Sequence, residues 1–255
     1  MSTTVNASTE TIGAADAAPQ GPTWRAVLRG AATGQVILAA FMLAITVAFE
    51  GRFDPMPVVI GLIAAGGVVW LSKGEGRGGV IYAGVVSLLL FLMVAMFGGL
   101  TVFTRVSSTF ELILFGGLLV VTILGLVATI GALRRKGGPA AEVAPKVAGA
   151  FIALLVVVGV VAGALTGSAT RMPGDLVLES KHFEFTETEL TADAGRMSVF
   201  VDNVDVAAHD FTIKDVVAIE LPGQRAGRGS FEVEAGTYRF YCSLHPDMEG
   251  TLKVS

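Results

Sequence analysis

Three side chains that can bind a soft metal ion lie within the last fourteen residues of the chain. Cys242, His245 and Met248 offer a thiolate, an imidazole and a thioether, and two residues separate each from the next. This mixture of soft and borderline donors suits copper better than other biological metals. A tight loop that leaves a strand can turn all three toward one point. Because Cys242 is the only cysteine of the chain, an intramolecular disulfide does not explain it.

A mononuclear copper site of this kind needs a second imidazole, with two histidines and one thiolate in a plane and a weak axial thioether. His182 and His209 are the other histidines of the chain. His209 opens a strand-like segment after a turn-rich stretch, and a β-sandwich can fold this corner against the loop that follows Cys242. His182 alternates with Phe183 and Phe185, so we expect it to point outward. His209 is therefore the preferred candidate.

The elements that must position these residues are strands, because the last third of the chain alternates with a period of two. Turn residues such as Asn, Asp, Gly and Pro separate the alternating runs. The clearest runs are 177–185, 197–202, 209–213, 229–233 and 236–242. This pattern predicts an all-β sandwich of about eighty residues.

The first two thirds of the chain have the composition of a membrane protein. The whole chain is 53% hydrophobic with a mean hydropathy of +0.68. Five apolar stretches are long enough, or nearly so, to cross a hydrocarbon core as helices of about 20 residues. They cover 31–49, 55–72, 79–103, 109–133 and 146–167. We therefore predict a multi-domain chain, in which a transmembrane bundle of five helices precedes the β-sandwich.

Composition also sets the predicted boundaries. Residues 1–23 have no aromatic residue and no apolar period, which predicts a disordered tail. The transmembrane region is assigned to 24–168, a short linker to 169–175 and the β domain to 176–255. The chain up to residue 171 has a net charge of +4, and the remainder has a net charge of −8.

The loops predict an orientation, because Lys and Arg collect on the cytoplasmic side of a membrane. The opposite loops carry only Arg52 and Arg105, and the remaining basic residues before the linker fall on one side. Those residues are Arg25, Arg29, Lys73, Arg77, Arg134, Arg135, Lys136 and Lys146. The tail is therefore predicted to be cytoplasmic, and five crossings place the C-terminal domain on the extracytoplasmic face of a multi-pass cell-membrane protein.

The segment from residue 176 onward resembles the cupredoxin family of blue copper proteins, the group that includes plastocyanin and amicyanin. The resemblance rests on the Gly195 turn before the strand 199–203, His209 at a strand start, the segment 236–242 and the short Cys-x2-His-x2-Met loop. It covers about a third of the chain. It implies a Greek-key sandwich with one type-1 copper ion bound by His209, Cys242, His245 and Met248.

Asp210 departs from the family pattern, because many cupredoxins carry asparagine after the first histidine ligand. In those proteins the asparagine braces the cysteine loop by hydrogen bonding. A carboxylate at this position is predicted to lower the reduction potential or to make it depend on pH.

Two classes of function agree with these observations. The first is a membrane-anchored carrier of single electrons, whose redox protein partner docks on an apolar patch beside His245. The second is a protein for copper acquisition, delivery or sensing, in which copper is cargo; a structural accessory subunit is a third and weaker option. An enzyme is not expected, because a second copper centre rich in histidine cannot be built from His182 alone. The lipid bilayer is the other predicted partner, and no nucleic acid is expected.

One acidic residue in the helical region is also a candidate for chemistry. Glu111 lies at the start of the fourth apolar stretch, where the helix dipole favours an acid. This structural role is the preferred interpretation, and a role in proton transfer is the lesser one.

Overall fold

A computed structural model of the chain describes residues 23–51, 53–74, 76–96, 109–134 and 138–255. Over these ranges, five long helices are followed by nine strands. The helices are α1 (Trp24–Glu50), α2 (Pro55–Lys73), α3 (Arg77–Met96), α4 (Thr109–Leu133) and α5 (Pro139–Leu165). The strands are β1 (Leu176–Lys181), β2 (Glu184–Phe185), β3 (Glu189–Ala192), β4 (Gly195–Asn203), β5 (His209–Ile213), β6 (Val217–Leu221), β7 (Ala226–Val233), β8 (Gly236–Tyr241) and β9 (Glu249–Val254). The predicted order of a helical region followed by a β-sandwich is confirmed.

Two helices begin earlier than hydrophobicity alone predicts. α1 begins at Trp24 because the Thr23 hydroxyl accepts a hydrogen bond from the backbone N–H of Ala26, which caps the helix. α5 begins at Pro139, whose fixed φ suits the first turn of a helix. Thr23, the last residue of the predicted tail, thus caps α1, while residues 1–22 fall outside the described residues. So do Arg52, Arg105, Arg135, Lys136 and the predicted end of the third helix at residue 103.

All five helices are long and apolar enough to cross a membrane. Much of their apolar surface is exposed, as on the lipid-facing side of a bundle; Leu62, for example, is 69% exposed. Inside the bundle, the side-chain amide of Gln35 donates to the hydroxyl of Ser87 over 3.0 Å, and both residues are 1% exposed. These features suggest a membrane protein with a packed, internally hydrogen-bonded bundle.

The nine strands form two sheets that face each other. One sheet has the strand order β2-β1-β4-β7 and the other β3-β9-β8-β5-β6. β1 pairs with β4 in parallel, and β3 pairs with β9 in parallel, so the sheets are mixed. Three aromatic rings fill the space between the sheets: Phe185 meets Phe211 and Phe240 edge-on, and those two stack at 5.1 Å. This core holds the strand ends from which the candidate site is built.

The predicted run 177–185 is not one strand but a hairpin, which corrects the sequence analysis. β1 and β2 pair with Ser180 opposite Phe185 and Lys181 opposite Glu184, so His182 and Phe183 form the turn between the two strands. Both have positive φ, 56° and 63°, as the central residues of a type I′ turn require. Their two backbone N–H groups donate to the carboxylate of Asp205, which stabilises a conformation that is costly for residues with side chains.

Among the described residues, hydrogen bonds attach the β-sandwich to the helices at two places. The guanidinium of Arg225 donates to the carbonyls of Gly163 and Thr166, at the C-terminal end of α5. A carboxylate oxygen of Glu111, in the first turn of α4, accepts the backbone N–H of Ala208 over 3.0 Å. Because Ala208 precedes His209, the second contact brings the start of α4 close to the candidate metal ligands.

Candidate metal centre

Cys242, His245 and Met248 lie on the loop that joins β8 to β9. The last pair before the loop is Tyr241 with Glu249. The loop closes on itself, because the Cys242 N–H donates to the Met248 carbonyl over 2.9 Å and the Met248 N–H donates to the His245 carbonyl over 3.0 Å. A loop tied in this way holds its side chains in a fixed arrangement before any metal binds.

Three of the predicted donor atoms converge on one point. The Nδ1 atoms of His209 and His245 are 2.9 Å apart. The Sγ atom of Cys242 is 3.9 Å from the first of these nitrogens and 3.6 Å from the second. Two ring nitrogens this close need a proton or a cation between them, because their lone pairs repel each other. The cluster therefore has the form of a metal site.

His209 comes from the opposite side of the centre, at the first residue of β5. Its Nε2 faces the Asp205 carboxylate at 3.0 Å, and both side chains are almost fully buried. Because Nε2 is engaged by this carboxylate, Nδ1 is the atom left to face Cys242 and His245. A carboxylate behind a ligating imidazole fixes the ring and raises its basicity.

The positive charge of a protonated His209 and the negative charge of the Cys242 thiolate stabilise each other, which shifts both pKa values. Burial lowers the pKa of His209, but hydrogen bonds to Asp205 and Cys242 outweigh it and raise the value to about 9. Burial raises the pKa of the Cys242 thiol, but hydrogen bonds from His209 and His245 outweigh it and lower the value to about 6. The thiolate, which is the form that binds metal, is thus stabilised at neutral pH.

Asp210 braces the ligand loop by hydrogen bonds. One carboxylate oxygen of Asp210 accepts the Ser243 N–H over 2.9 Å and the Thr212 hydroxyl over 2.9 Å. The other accepts the Ser243 hydroxyl. The backbone N–H of Asp210 points at the Cys242 sulfur over 3.4 Å. A buried carboxylate thus directly follows His209 in the chain and is bonded to Ser243, the residue after Cys242.

Phe183 covers the centre on the side of the β1–β2 hairpin. Its ring meets the His209 ring edge-on at 5.4 Å and the His245 ring edge-on at 4.8 Å. His209 is 2% exposed and Cys242 is 1% exposed, whereas His245 is half-buried. His245 is thus the imidazole through which the centre meets its surroundings.

The sequence predictions meet this geometry in different ways. His209, Cys242 and His245 are brought together, and Met248 is buried in the same core as Cys242. His182 lies exposed in the hairpin turn, away from the cluster, as expected. Sequence reasoning missed Asp205, although its position four residues before His209 was the available signal. The contact of Phe183 was also missed, because it depends on an unusual backbone turn.

The chemistry of this donor set fits copper. One thiolate and two imidazoles within 4.8 Å of one another form the set that soft and borderline metals prefer. The same three atoms suit zinc with a fourth ligand, and the nearby Met248 is the difference that favours copper.

The comparisons with known proteins give matches for one part of the chain. No protein family model matches, and no curated protein matches. Among solved structures, amicyanin from Paracoccus versutus (Thiobacillus versutus) is 24% identical and has a TM-score of 0.31; the match covers 35% of this chain and 90% of amicyanin. A reduced mutant of amicyanin is 25% identical with a TM-score of 0.30, over the same shares of the two chains. The Cu(I) form of another amicyanin mutant is 26% identical, also with a TM-score of 0.30 and the same coverage.

Proposed function

We propose that the protein is a membrane-anchored blue copper protein that carries single electrons. The observation that supports this most directly is the convergence of the His209, Cys242 and His245 donor atoms on one point. In this proposal these residues would hold one type-1 copper ion, and Met248 would supply a weaker fourth ligand. Such a centre supplies reversible one-electron chemistry, with a potential tuned by the axial ligand and by hydrogen bonds around the sulfur.

The surrounding residues support a carrier rather than a store of copper. Two of the three donors are buried, and the loop is closed by its own backbone hydrogen bonds. Asp205 fixes one ligand and Asp210 fixes the loop. A rigid, enclosed site changes oxidation state with little rearrangement, whereas a cargo site needs open ligands for exchange.

We further propose the sidedness and the protein partner. The distribution of Lys and Arg favours a cytoplasmic N-terminus and an extracytoplasmic copper domain. The half-buried His245 lies between Leu244 and the exposed Pro246, which favours docking of a redox protein on this edge. The protein passes on electrons and is not itself an enzyme in this proposal.

Titration of the full-length protein with Cu(II) in detergent micelles tests the proposal. We expect the intense visible band of a thiolate bound to copper, with one copper ion per chain. Cys242→Ser is expected to lose the band, and His182→Ala, the matched change at a histidine outside the cluster, is expected to keep it. A colourless, readily exchanged copper complex would favour copper acquisition or delivery instead.

A further inference from the structure

A cavity of about 300 Å³ separates His245 from the helices, and it is the starting point for a further inference. This volume is at the lower end of the range of small-molecule sites, about 300–1,000 Å³. The cavity lies where the ends of α1, α2 and α4 meet the β-sandwich, so it is next to the surface of the predicted membrane region. His245 forms part of its wall. A small molecule in the cavity would therefore lie against a candidate copper ligand.

The wall of the cavity is apolar with a few polar groups. Phe110, Phe115 and Phe183 contribute aromatic rings, which suit a flat, apolar ring system. Glu111 and Asp54 contribute carboxylates. A ligand with an aromatic body and acidic hydroxyl groups matches this combination.

The two carboxylates are fixed by contacts with neighbouring backbone. Glu111 accepts the N–H of Ala208, and Asp54 accepts the N–H of Met56 at the start of α2 over 2.8 Å. Each carboxylate has further lone pairs that can accept a hydrogen bond from a ligand hydroxyl. The cavity thus offers two proton acceptors and one imidazole close to the lipid phase.

We propose that this cavity binds a lipid-soluble hydroquinone, which donates electrons to the copper centre through His245. The redox part of the inference rests on the proposed function. One hydroquinone loses two electrons in succession and becomes a quinone, and Cu(II) is reduced to Cu(I) each time. The redox protein partner reoxidises the copper between the two steps. The two O–H bonds break, and the protons pass to the Glu111 and Asp54 carboxylates and then to water.

Binding is tested first, with metal-free full-length protein in detergent, kept free of oxygen, and reduced decylubiquinone as the probe. The protein is immobilised, and bound hydroquinone is extracted and measured by absorbance. We expect saturable binding of one hydroquinone per chain. Met42→Trp adds bulk to the cavity wall and is expected to weaken binding at least about tenfold. Ile45→Trp is the matched control, because it lies on the same helix but lines a neighbouring cavity without His245.

The outcomes of this first test are separate from copper chemistry. Absence of saturable binding, or equal weakening by Met42→Trp and Ile45→Trp, would overturn the inference. If hydroquinone binds as expected but copper gives no blue protein, the proposed function fails while the binding site stands. If copper gives a blue protein that binds no hydroquinone, the carrier proposal stands and the inference that a hydroquinone is its electron donor fails.

The electron-transfer step is tested with copper-loaded protein and reduced decylubiquinone, by following the loss of the blue colour. Glu111→Gln keeps an oxygen that can accept the Ala208 N–H, but it cannot take up a proton. At saturating hydroquinone, we expect bleaching to slow at least about tenfold in this variant. Unchanged bleaching would exclude Glu111 as the proton acceptor, and unchanged bleaching in Met42→Trp as well would overturn the site as the entry point of electrons.

Discussion

The helical region and the β-sandwich use buried polar groups in opposite ways. In the bundle, Gln35 and Ser87 satisfy each other, and Thr129 returns its hydroxyl to the carbonyl of Gly125. In the β-sandwich, two imidazoles and a thiol face one another at a single point, and two carboxylates fix His209 and the ligand loop by hydrogen bonds. In the bundle the polar groups are used up in hydrogen bonds with each other. In the β-sandwich the ligand atoms converge on one point, where they can bind a metal ion. The comparison teaches that convergence, rather than burial of polar groups alone, marks the site of chemistry.

Of the changes considered, replacing the Asp205 carboxylate that contacts His209 is expected to have the largest effect, which is a loss of copper affinity in the β-sandwich. Asp205→Asn keeps one of the two oxygens that accept the hairpin N–H groups, but it loses the other oxygen and the negative charge beside the imidazole, so copper affinity should fall by about 10- to 100-fold. Competition titration with a copper chelator measures the change. Asp202→Asn, at an exposed position in β4, should leave the affinity unchanged. Equal affinities of wild type and Asp205→Asn would mean that the carboxylate does not orient the ligand.

Copper binding at the centre should depend on pH, because the pKa values of His209 and Cys242 are shifted. Between pH values of about 6 and about 9, metal-free protein is expected to hold a protonated His209 beside a Cys242 thiolate. Copper binding in this range should release about one proton, from His209, because ligands bind metal in their deprotonated forms. Below about pH 6 the thiol proton must also leave, so proton release should increase and affinity should fall. Calorimetric titration in buffers of different ionisation enthalpy measures the release.

The two pKa shifts also have opposite effects on the stability of metal-free protein. The raised pKa of His209 stabilises the fold fully below pH 6.5, and the contribution is lost as pH rises through about 9. The lowered pKa of Cys242 stabilises the fold above pH 9.0, and the contribution is lost as pH falls through about 6. Proton release that neither rises below about pH 6 nor falls above about pH 9 would contradict both shifts.

The charge beside the ligand loop is expected to have a smaller effect, on potential rather than affinity alone. Asp210→Asn keeps an oxygen that accepts the Ser243 N–H but removes a negative charge close to Cys242. Because that charge favours Cu(II), the reduction potential should rise in the variant, by about 59 mV for each tenfold change in relative affinity. Redox titration across pH measures the change. Glu220→Gln, an exposed change on the neighbouring strand, is the control, and an equal rise there would point to net charge instead of position.

The smallest effect is expected in the bundle. Ser87→Ala removes the hydroxyl that pairs with Gln35, and a hydrogen bond between membrane helices contributes about 0.6 kcal/mol on average. Thermal unfolding in detergent should show a small loss of stability, with no change in copper affinity. Ser72→Ala removes a hydroxyl that bonds within its own helix at an exposed position and serves as the control. A change in copper affinity in Ser87→Ala would show that this hydrogen bond in the bundle influences the metal centre of the β-sandwich.

The sequence predicts the candidate site well where the information is local. Two-residue spacings place Cys242, His245 and Met248 on one loop, and period-two alternation predicts the sandwich that holds it. The helix starts were predicted less well, because the cap at Thr23 and the proline at 139 extend α1 and α5 beyond their apolar stretches.

What remained hidden depends on contacts between distant residues. Asp205 acts on a hairpin more than twenty positions away, and the turn at His182 and Phe183 has a backbone conformation that those residue types do not favour. The contact of Glu111 with Ala208 joins residues 97 positions apart. No local pattern encodes such pairs, so only the folded chain reveals that the candidate centre lies next to the helices.

The attachment of the β-sandwich to α5 has a consequence for how electrons would move. Residues 166–175 are not a free hinge, since the Ser168 hydroxyl accepts the Ala226 N–H and the carboxylate of Asp175 pairs with Arg228. A domain fixed in this way does not swing between donor and acceptor like a tethered arm. The encounter rate is then set by partners that diffuse along the membrane or in solution, and it scales with their concentration rather than with the length of a linker.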